Sequence, residues 1–574
     1  MTRSRRSGWN RVLGAALVAA FAGCEKRAAP PAATPVAVSP KPSVELIQAI
    51  EARLARADDL FDPTPQESKV LAVVYPAGSM TPLWTDERMH PRKSASDALA
   101  VLKDAAAEGL DPADYRGDAL ATMGQALSIG AGDAGRMGAS FDVTLSLSMV
   151  RYLRHYHHGR VNPRDIGFLL SLPPDEHDYG ALVRDAALQG RVMETIASIT
   201  PPLVQYRALR SMLPLYRALA LIEGSAFPRL PNAPRKSIKA GDTAPALNIV
   251  RARLIALGDM SANAARLVDP PVYEGDLVEG VKHFQARHGF ENDGILGKTT
   301  WESLNVPIRW RVRQIELAME RMRWLPHLGE RPFVAVNVPM FRLWGWESVP
   351  KTGEPDFEMG VIVGKSLDTQ TPVFMEEMEY LIFQPYWNVP KSILQKEILP
   401  ILRRNIGYLT NQDMEIVDGE GDDAKVVEPS PANIGRLAQE KLRLRQRPGA
   451  KNALGQVKFM FPNDENVYLH STPAPELFGR SRRDFSHGCI RVEDPIALAL
   501  WALKDQPQWT REKIIAAMNG TPSLRVPLTR PIRVVIYYVT ATVIPAENAV
   551  HFADDIYDQD ARLDEALRAR RKAS

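Results

Sequence analysis

The stretch Ser486-His487-Gly488-Cys489-Ile490-Arg491-Val492 contains one of the two cysteines in the 574-residue sequence. A thiol attacks as a thiolate, so it needs a base or a cation close by. His487 and Arg491 lie two residues before and after Cys489. In an extended chain such positions face the same side. The run therefore predicts a reactive cysteine on a strand.

A second histidine, His470, lies 19 residues before Cys489, at the end of the apolar run 467–469. This interval suits a strand, a loop and a return that bring His470 opposite Cys489 as a general base. Gly488 allows the backbone to approach a substrate closely. The backbone N–H groups of Gly488 and Cys489 are candidates for an oxyanion hole, where a donor contributes about 3–4 kcal/mol.

Together with Leu469-His470-Ser471-Thr472, the run resembles the signature of the L,D-transpeptidase catalytic domain. The resemblance implies that Cys489 is acylated and that the Ser471 carbonyl orients His470. The family has Asn at the position of Arg491 in many members, and Arg is typical of its larger, multi-module branch. The remaining site residues implied in this region are His487 and Arg491, which shape the site, and Ser486, which binds substrate.

The implied reaction joins two peptidoglycan tetrapeptide stems, a donor and an acceptor, with release of D-Ala and formation of a 3→3 crosslink. Carbapenems are expected to acylate Cys489, and no cofactor is required. Water (L,D-carboxypeptidase activity), a free D-amino acid (exchange) or a lipoprotein lysine are alternative acceptors, and other cell-wall synthesis proteins are possible partners. Two rivals are a sortase-like transpeptidase and a non-catalytic wall-binding scaffold with an unreactive cysteine.

Residues 331–552 are predicted to be predominantly β and to form this catalytic domain. Strand-like runs are interrupted at about 391–450 by a charged stretch that we interpret as a helical lid. The run Pro385-Tyr386-Trp387-Asn388-Val389-Pro390 resembles the strand that leads into the lid in the multi-module branch. Tyr386 and Trp387 are therefore predicted to lie near the substrate. The predicted strands are 332–338, 359–363, 380–383, 457–461 and 467–470, with one long or two short strands over 532–543.

Residues 241–305 predict a small domain of three helices, 246–257, 276–288 and 298–304. The runs 281–289 and 293–300 resemble the helical peptidoglycan-binding domain. A helical spacer that binds nothing is the alternative. The predicted binding residues are Phe284, Gln285, Asp293, Gly294, Gly297 and Thr299.

Residues 1–24 read as a secretory signal, with arginines followed by a short apolar run. Its end resembles a lipoprotein cleavage box with Cys24 as the lipidated residue, although Phe21 stands where an aliphatic residue is usual. Ordinary cleavage near Ala22, which would release a soluble protein, is the alternative. A lipid on Cys24 would anchor the chain to a membrane in the periplasm or cell envelope.

The whole chain is predicted to be multidomain α+β. A net charge of +3 argues against nucleic-acid binding. His155, His157 and His158 end a predicted helix over 141–157 and have no further metal ligands in pattern, so we interpret them as a solvated or capping feature. A copper site of His470, His487 and Cys489 would lack an axial methionine. The other predicted segments are an Ala/Pro-rich linker (25–43), a helical scaffold (44–240), a connecting helix (306–330) and a charged tail with a surface helix (553–574).

Overall fold

The computed structural model describes residues 44–574 except 59–60, 131–132, 173, 265–268, 326–327, 329–330, 350–351, 367–368, 521, 545–546, 548 and 574. The predicted signal peptide, with Cys24, and the linker lie outside the described residues. Within the described part, no helix is both long and apolar enough to cross a bilayer.

The first region is helical, and its core gathers around one long central helix, α5. α5 begins seven residues before the predicted start at 141, because the side chain of Asp133 accepts the backbone N–H of Arg136 and caps it. Short 3₁₀ turns occupy Ala105–Glu108, Pro112–Tyr115 and Pro163–Ile166. The helices are α1 (Val44–Leu54), α2 (Pro65–Val74), α3 (Lys93–Lys103), α4 (Gly117–Ser128), α5 (Ala134–His158), α6 (Tyr179–Gln189), α7 (Val192–Ser198) and α8 (Val204–Ile222).

Two of the three histidines at the end of α5 are buried, so a solvated feature was the wrong prediction for them. His155 is buried and lies 3.1 Å from the Tyr115 hydroxyl. His158 is buried too, with Nε2 3.1 Å from the Asp175 carboxylate. Burial lowers the pKa of His155 well below its usual range. The partners of these histidines, Tyr115 and Asp175, lie in other segments, so the sequence of the helix itself does not reveal the burial.

The small domain has three helices whose bounds agree with the sequence within one residue: α9 (Leu247–Leu257), α10 (Asp276–Arg287) and α11 (Lys298–Leu304). It has its own apolar core. α12 (Ile308–Met322) follows and packs against α8.

The third region is built on a nine-stranded sheet in the order β11-β3-β12-β10-β9-β4-β13-β1-β2. β2 also pairs with β3, so the sheet closes into a barrel around the largest apolar core, and β11 adds to β3 outside the ring. Two helices, α17 (Pro495–Ala502) and α18 (Arg511–Asn519), lie between β12 and β13. The strands are β1 (Phe333–Asn337), β2 (Arg342–Trp346), β3 (Phe357–Gly364), β4 (Phe374–Phe383), β9 (Val457–Met460), β10 (Leu469–His470), β11 (Asp484–Ser486), β12 (Ile490–Val492) and β13 (Leu524–Tyr537).

The lid is not purely helical as predicted, because it also contains a four-stranded antiparallel sheet in the order β5-β8-β6-β7. These strands are short and pair across the insertion, so their sequences carry little period-two signal. The sheet and the helices share a separate apolar core. The elements are β5 (Trp387–Asn388), α13 (Lys391–Ile393), a π-helical turn (Leu394–Ile398), α14 (Leu399–Leu402), α15 (Tyr408–Asn411), β6 (Met414–Asp418), β7 (Lys425–Val427), α16 (Pro431–Ala438) and β8 (Arg443–Gln446).

The charged tail is more than a surface helix. A hairpin of β14 (Ala541–Ile544) and β15 (Ala549–Phe552) precedes α19 (Gln559–Ala573). Buried Asp560 of α19 forms an ion pair with Arg321 of α12. The tail is therefore fastened to the rest of the protein by a desolvated charge pair, which would be costly to separate.

Candidate active site

The two halves of the cysteine–histidine pattern lie on neighbouring strands of the barrel. β10 runs parallel to β12, with Leu469 opposite Ile490 and His470 opposite Arg491. Cys489 directly precedes β12, so its side chain falls on the same face as Arg491. The chain between His470 and Cys489 contains a loop, a 3₁₀ turn (Pro475–Gly479) and β11. These segments provide the return that the 19-residue spacing requires.

The ring of His470, the predicted general base, is buried and held by a backbone carbonyl. Its Nδ1 lies 2.6 Å from the Ser471 carbonyl oxygen. A carbonyl can only accept, so Nδ1 carries the proton of the neutral ring and Nε2 is the nitrogen without a proton. Burial, followed by the charge of Arg491, lowers the pKa of His470 to about 3. The ring is therefore neutral throughout the physiological pH range.

Cys489 is half-buried, and its thiol donates to the Asn466 carbonyl oxygen over 3.5 Å. Burial raises the pKa of the thiol. Hydrogen bonds from Tyr468, and then the charges of Lys458 and Arg491, act in the opposite direction. Tyr468 and Lys458 were not predicted as site residues. The available signals were the position of Tyr468 two residues before His470 and a lysine between apolar neighbours in a strand.

The loop that carries Cys489, the predicted nucleophile, is held by its own hydrogen bonds, and we call it the nucleophile loop. Gly488 has φ +114°, a conformation that favours glycine. Its N–H donates to Ser486 Oγ over 3.2 Å, and Ser486 Oγ donates to the Cys489 carbonyl over 2.5 Å. Ser486 is buried, so it supports the loop rather than facing substrate. The oxyanion role of Gly488 remains a prediction, and its N–H is already engaged in this conformation.

Two further residues outside the predicted set support this loop. Thr371 Oγ1 donates to the Gly488 carbonyl over 2.8 Å and accepts the Gly364 N–H over 2.9 Å. The Tyr557 hydroxyl donates to the Gly364 carbonyl over 2.6 Å and accepts the Thr371 N–H over 3.2 Å. The C-terminal segment thus reaches the backbone of the nucleophile loop through two side chains.

His487 connects the nucleophile loop to the lid. Its Nε2 donates to the carboxylate of Glu397, in the π-helical turn, over 2.7 Å. Tyr386 and Trp387 lie at the base of the lid. The Arg445 guanidinium carbon is 4.1 Å from the Tyr386 ring centroid, and Trp387 packs against both the barrel core and the lid core. In the contacts described, neither of them touches Cys489.

The residues predicted to bind peptidoglycan in the small domain divide into two groups. Phe284 and Gln285 are buried, and the Gln285 amide holds the turn by donating to Asp293 and accepting the Gly294 N–H, over 2.9 and 2.8 Å. Gly294 has φ +68°, as that turn requires. Asp293, Gly297 and Thr299 line a cleft, to which Gln285 also contributes.

This cleft has a volume of about 910 Å³ and separates the small domain from the barrel. Lys298 lines one wall, and Arg342 and Arg482 line the other. The Glu291 N–H bridges the two walls by donating to Ser481 Oγ over 2.8 Å. The cleft therefore adjoins the loop that precedes β11. Among the described residues, no cluster of three or more His, Cys, Asp or Glu side chains could hold a metal ion.

Comparison with known families agrees with this geometry. The family model described as "L,D-transpeptidase catalytic domain" matches residues 331–523. The chain contains an L,D-transpeptidase catalytic domain. Residues 243–304 match a "Putative peptidoglycan binding domain", and residues 69–213 match a scaffold domain. Tyr557 and α19 lie beyond the matched part of the transpeptidase domain.

A "Putative L,D-transpeptidase" of Haemophilus influenzae is 32% identical over 254 residues, which cover 44% of this chain and 49% of the relative. The chain thus spans about half the length of that relative. The crystal structure of the L,D-transpeptidase from Xylanimonas cellulosilytica is 14% identical, covers 54% of this chain and 100% of the other, and has a TM-score of 0.17. A TM-score this low says nothing about the fold of this chain. The α+β fold of residues 331–523 is shown instead by the strand pairing described above.

Proposed function

We propose that this protein is a peptidoglycan L,D-transpeptidase that forms 3→3 crosslinks through an acyl-enzyme at Cys489. The observation that carries the proposal is a neutral His470, oriented by the Ser471 carbonyl, on the strand beside Cys489. That pair lies within the residues that match the transpeptidase domain.

In the first half-reaction, His470 Nε2 accepts the thiol proton and Sγ attacks the carbonyl that joins stem residue three to the terminal D-Ala. The tetrahedral intermediate collapses, His470 returns the proton to the departing amine, and D-Ala leaves a thioester on Cys489. In the second, the side-chain amine of another stem attacks the thioester, passes a proton to His470 and releases the thiol.

The catalytic test uses purified full-length protein and tetrapeptide-rich muropeptides, with products identified by mass spectrometry. We expect 3→3 dimers and free D-Ala from the wild type and neither from Cys489→Ser. A folded Cys489→Ser variant that still forms dimers would overturn the assignment. Tripeptides without dimers would instead identify water as the acceptor, and exchange of D-Ala for added D-amino acid would identify that acceptor.

A carbapenem provides a second readout that needs no acceptor. Intact-protein mass spectrometry should show one adduct on the wild type and none on Cys489→Ser. An unmodified wild type would favour the non-catalytic scaffold. The side chain of Cys489 is partly accessible, as attack on an added β-lactam requires.

We further propose that the cleft between the small domain and the barrel receives peptidoglycan. Its walls carry charges of both signs, which suits a glycan with zwitterionic stem peptides. Thr299→Trp would fill the cleft and should reduce co-sedimentation with sacculi. The matched control is Val426→Trp on the exposed lid strand β7, which should co-sediment normally. Equal sedimentation of both variants and the wild type would favour the spacer role.

A location in the periplasm or cell envelope, with a lipid on Cys24, belongs to the same proposal. Its support is the basic start and the apolar run that precede Cys24. Labelling with a fatty-acid analogue should tag the wild type and leave Cys24→Ala untagged. An untagged wild type in the soluble periplasmic fraction would favour ordinary cleavage near Ala22.

A further inference from the structure

A row of three polar side chains crosses the barrel wall beside the nucleophile. Lys458 on β9 is the register partner of His470, which is in turn the partner of Arg491 on β12. Directly paired residues project from the same face of a sheet. Tyr468, two residues before His470, projects from that face as well. Lys458 therefore shares the site with the proposed nucleophile and base.

The ammonium group of Lys458 lies over the aromatic ring of Tyr468. Its Nζ lies 3.6 Å from the centroid of the Tyr468 ring, within the range of a strong cation–π contact. Tyr468 also interacts with Cys489, and this interaction raises the pKa of the tyrosine and lowers that of the thiol. Burial lowers the pKa of Lys458 to about 8, opposed by the attraction of the Cys489 thiolate. The lysine still carries a charge at neutral pH.

A cation near the thiol matters because the histidine does not supply one, and Lys458 and Arg491 are the two cations that lower the pKa of Cys489. Many cysteine nucleophiles are stabilised as thiolates by an adjacent imidazolium. His470 is neutral here, since burial and the neighbouring cations hold its pKa at about 3. Burial also raises the pKa of Cys489, so the free thiol is favoured unless other groups compensate.

We propose that Lys458 is a positioning residue for the nucleophile and acts through Tyr468, whose hydroxyl donates a stronger hydrogen bond to Cys489 because a cation covers its ring. The ammonium draws electron density from the ring face and makes the phenolic proton a better donor. No bond is formed or broken by Lys458 itself. The inference rests on the proposed function only in taking Cys489 as the reactive thiol.

The groups that face this assembly come from three strands and the lid. β9 supplies Lys458, β10 supplies His470, the residue directly before β10 is Tyr468, and β12 supplies Arg491. From the lid, Glu397 reaches the adjacent loop through its hydrogen bond to His487. On the other side of β9, the register partner of Lys458 on β4 is the apolar Ile382.

The test measures the ionisation of Cys489 rather than catalysis. Full-length protein is alkylated with iodoacetamide from pH 5 to pH 10, and the rate is followed on the peptide that contains Cys489, which separates it from Cys24. Lys458→Met keeps a side chain of similar length and removes the charge. In this variant we expect the midpoint of the plot of alkylation rate against pH to rise by about one pH unit. That shift corresponds to alkylation about tenfold slower below the midpoint.

Further variants distinguish this effect of Lys458 through Tyr468, which we call the relay, from a simple structural role. Tyr468→Phe should raise the midpoint similarly, the double variant should add little to either single change, and Lys458→Arg should restore most of the wild-type profile. The matched control is Lys513→Met, which removes an exposed lysine 5.0 Å from the Trp509 ring, away from the site, and should leave the midpoint unchanged.

A wild-type midpoint in folded Lys458→Met would overturn the inference. If Lys458→Met failed to fold, a wild-type midpoint in Tyr468→Phe would do the same. Alkylation requires no acyl transfer, so this outcome is independent of the crosslinking assay. A shifted midpoint in a protein that makes no crosslinks would support the relay and overturn the proposed function instead.

Discussion

Acidification should destabilise this protein through His470, and the size of the effect follows from its burial. The pKa of His470 is about 3 in the folded protein, against about 6.5 in an unfolded chain. Between these values the unfolded chain binds a proton that the folded protein does not. The stabilisation is therefore present above pH 6.5 and is lost as the pH falls towards 3.

The linkage relation gives the magnitude. With these two pKa values, the free energy of unfolding falls by about 2 kcal/mol between pH 7 and pH 5 from this histidine alone. Substituting His470→Asn removes the titrating group while keeping a hydrogen-bond donor near the Ser471 carbonyl. The difference in unfolding free energy between wild type and variant should therefore move by about 2 kcal/mol, in favour of the variant, over the same pH range.

Urea titrations of both proteins at pH 5, 6 and 7 measure this difference. Other buried histidines, such as His155 and His288, contribute equally to both proteins and cancel. A difference that stays constant from pH 7 to pH 5 would show that His470 titrates in the folded state as it does in the unfolded chain. The reasoning from burial, and the neutral base proposed for catalysis, would then both fail.

Three smaller perturbations test the surroundings of the site. Gln285→Ala should lower the unfolding free energy of the protein by about 2–4 kcal/mol, measured by urea titration, because several buried groups lose their partner; an unchanged value would contradict a structural role. Thr371→Val should slow carbapenem acylation about tenfold in stopped-flow measurements, because the Gly488 carbonyl loses its donor, and a wild-type rate would show that the loop holds itself. Glu397→Gln should change the KM for muropeptides less than fivefold, since its contact with His487 is exposed and worth at most about 1 kcal/mol; a larger change would mean that this contact controls the lid.

The lid and the C-terminal segment reach the same catalytic loop from different directions. Glu397 contacts His487 from the lid, and Tyr557 acts through Thr371 on the backbone of Gly488. The first contact is exposed and easily broken, whereas the second is buried. We therefore expect the loop backbone to stay in place while the lid opens for substrate.

Much of the domain organisation could be predicted because it depends on local patterns. The helices of the small domain follow from apolar residues at helical spacing and from glycines at the helix ends, such as Gly258 after α9 and Gly297 before α11. The strand Phe333–Asn337 follows from a run of β-branched and aromatic residues. The pair of His470 and Cys489 could be found because both lie in short motifs at a spacing that suits one strand, a loop and a return.

Other parts of the site were not predictable from the same signals. The role of Ser486 was predicted as contact with substrate, yet the residue is buried and holds the loop. Lys458 and Tyr557 carry no motif of their own. Their proximity to the nucleophile depends on which strands pair and on where the C-terminal segment returns.

By itself, the sequence determined the order of the matched domains and the helices of the small domain, and it singled out His470 and Cys489 as the candidate reactive pair, because each is encoded within a few turns or strands of chain. Only the tertiary structure decided the closure of the barrel between β2 and β3, the sheet within the lid, and the contact of Lys458 with the ring of Tyr468. Strand register and buried charge depend on residues that are distant in sequence, and local periodicity carries no information about which of them meet.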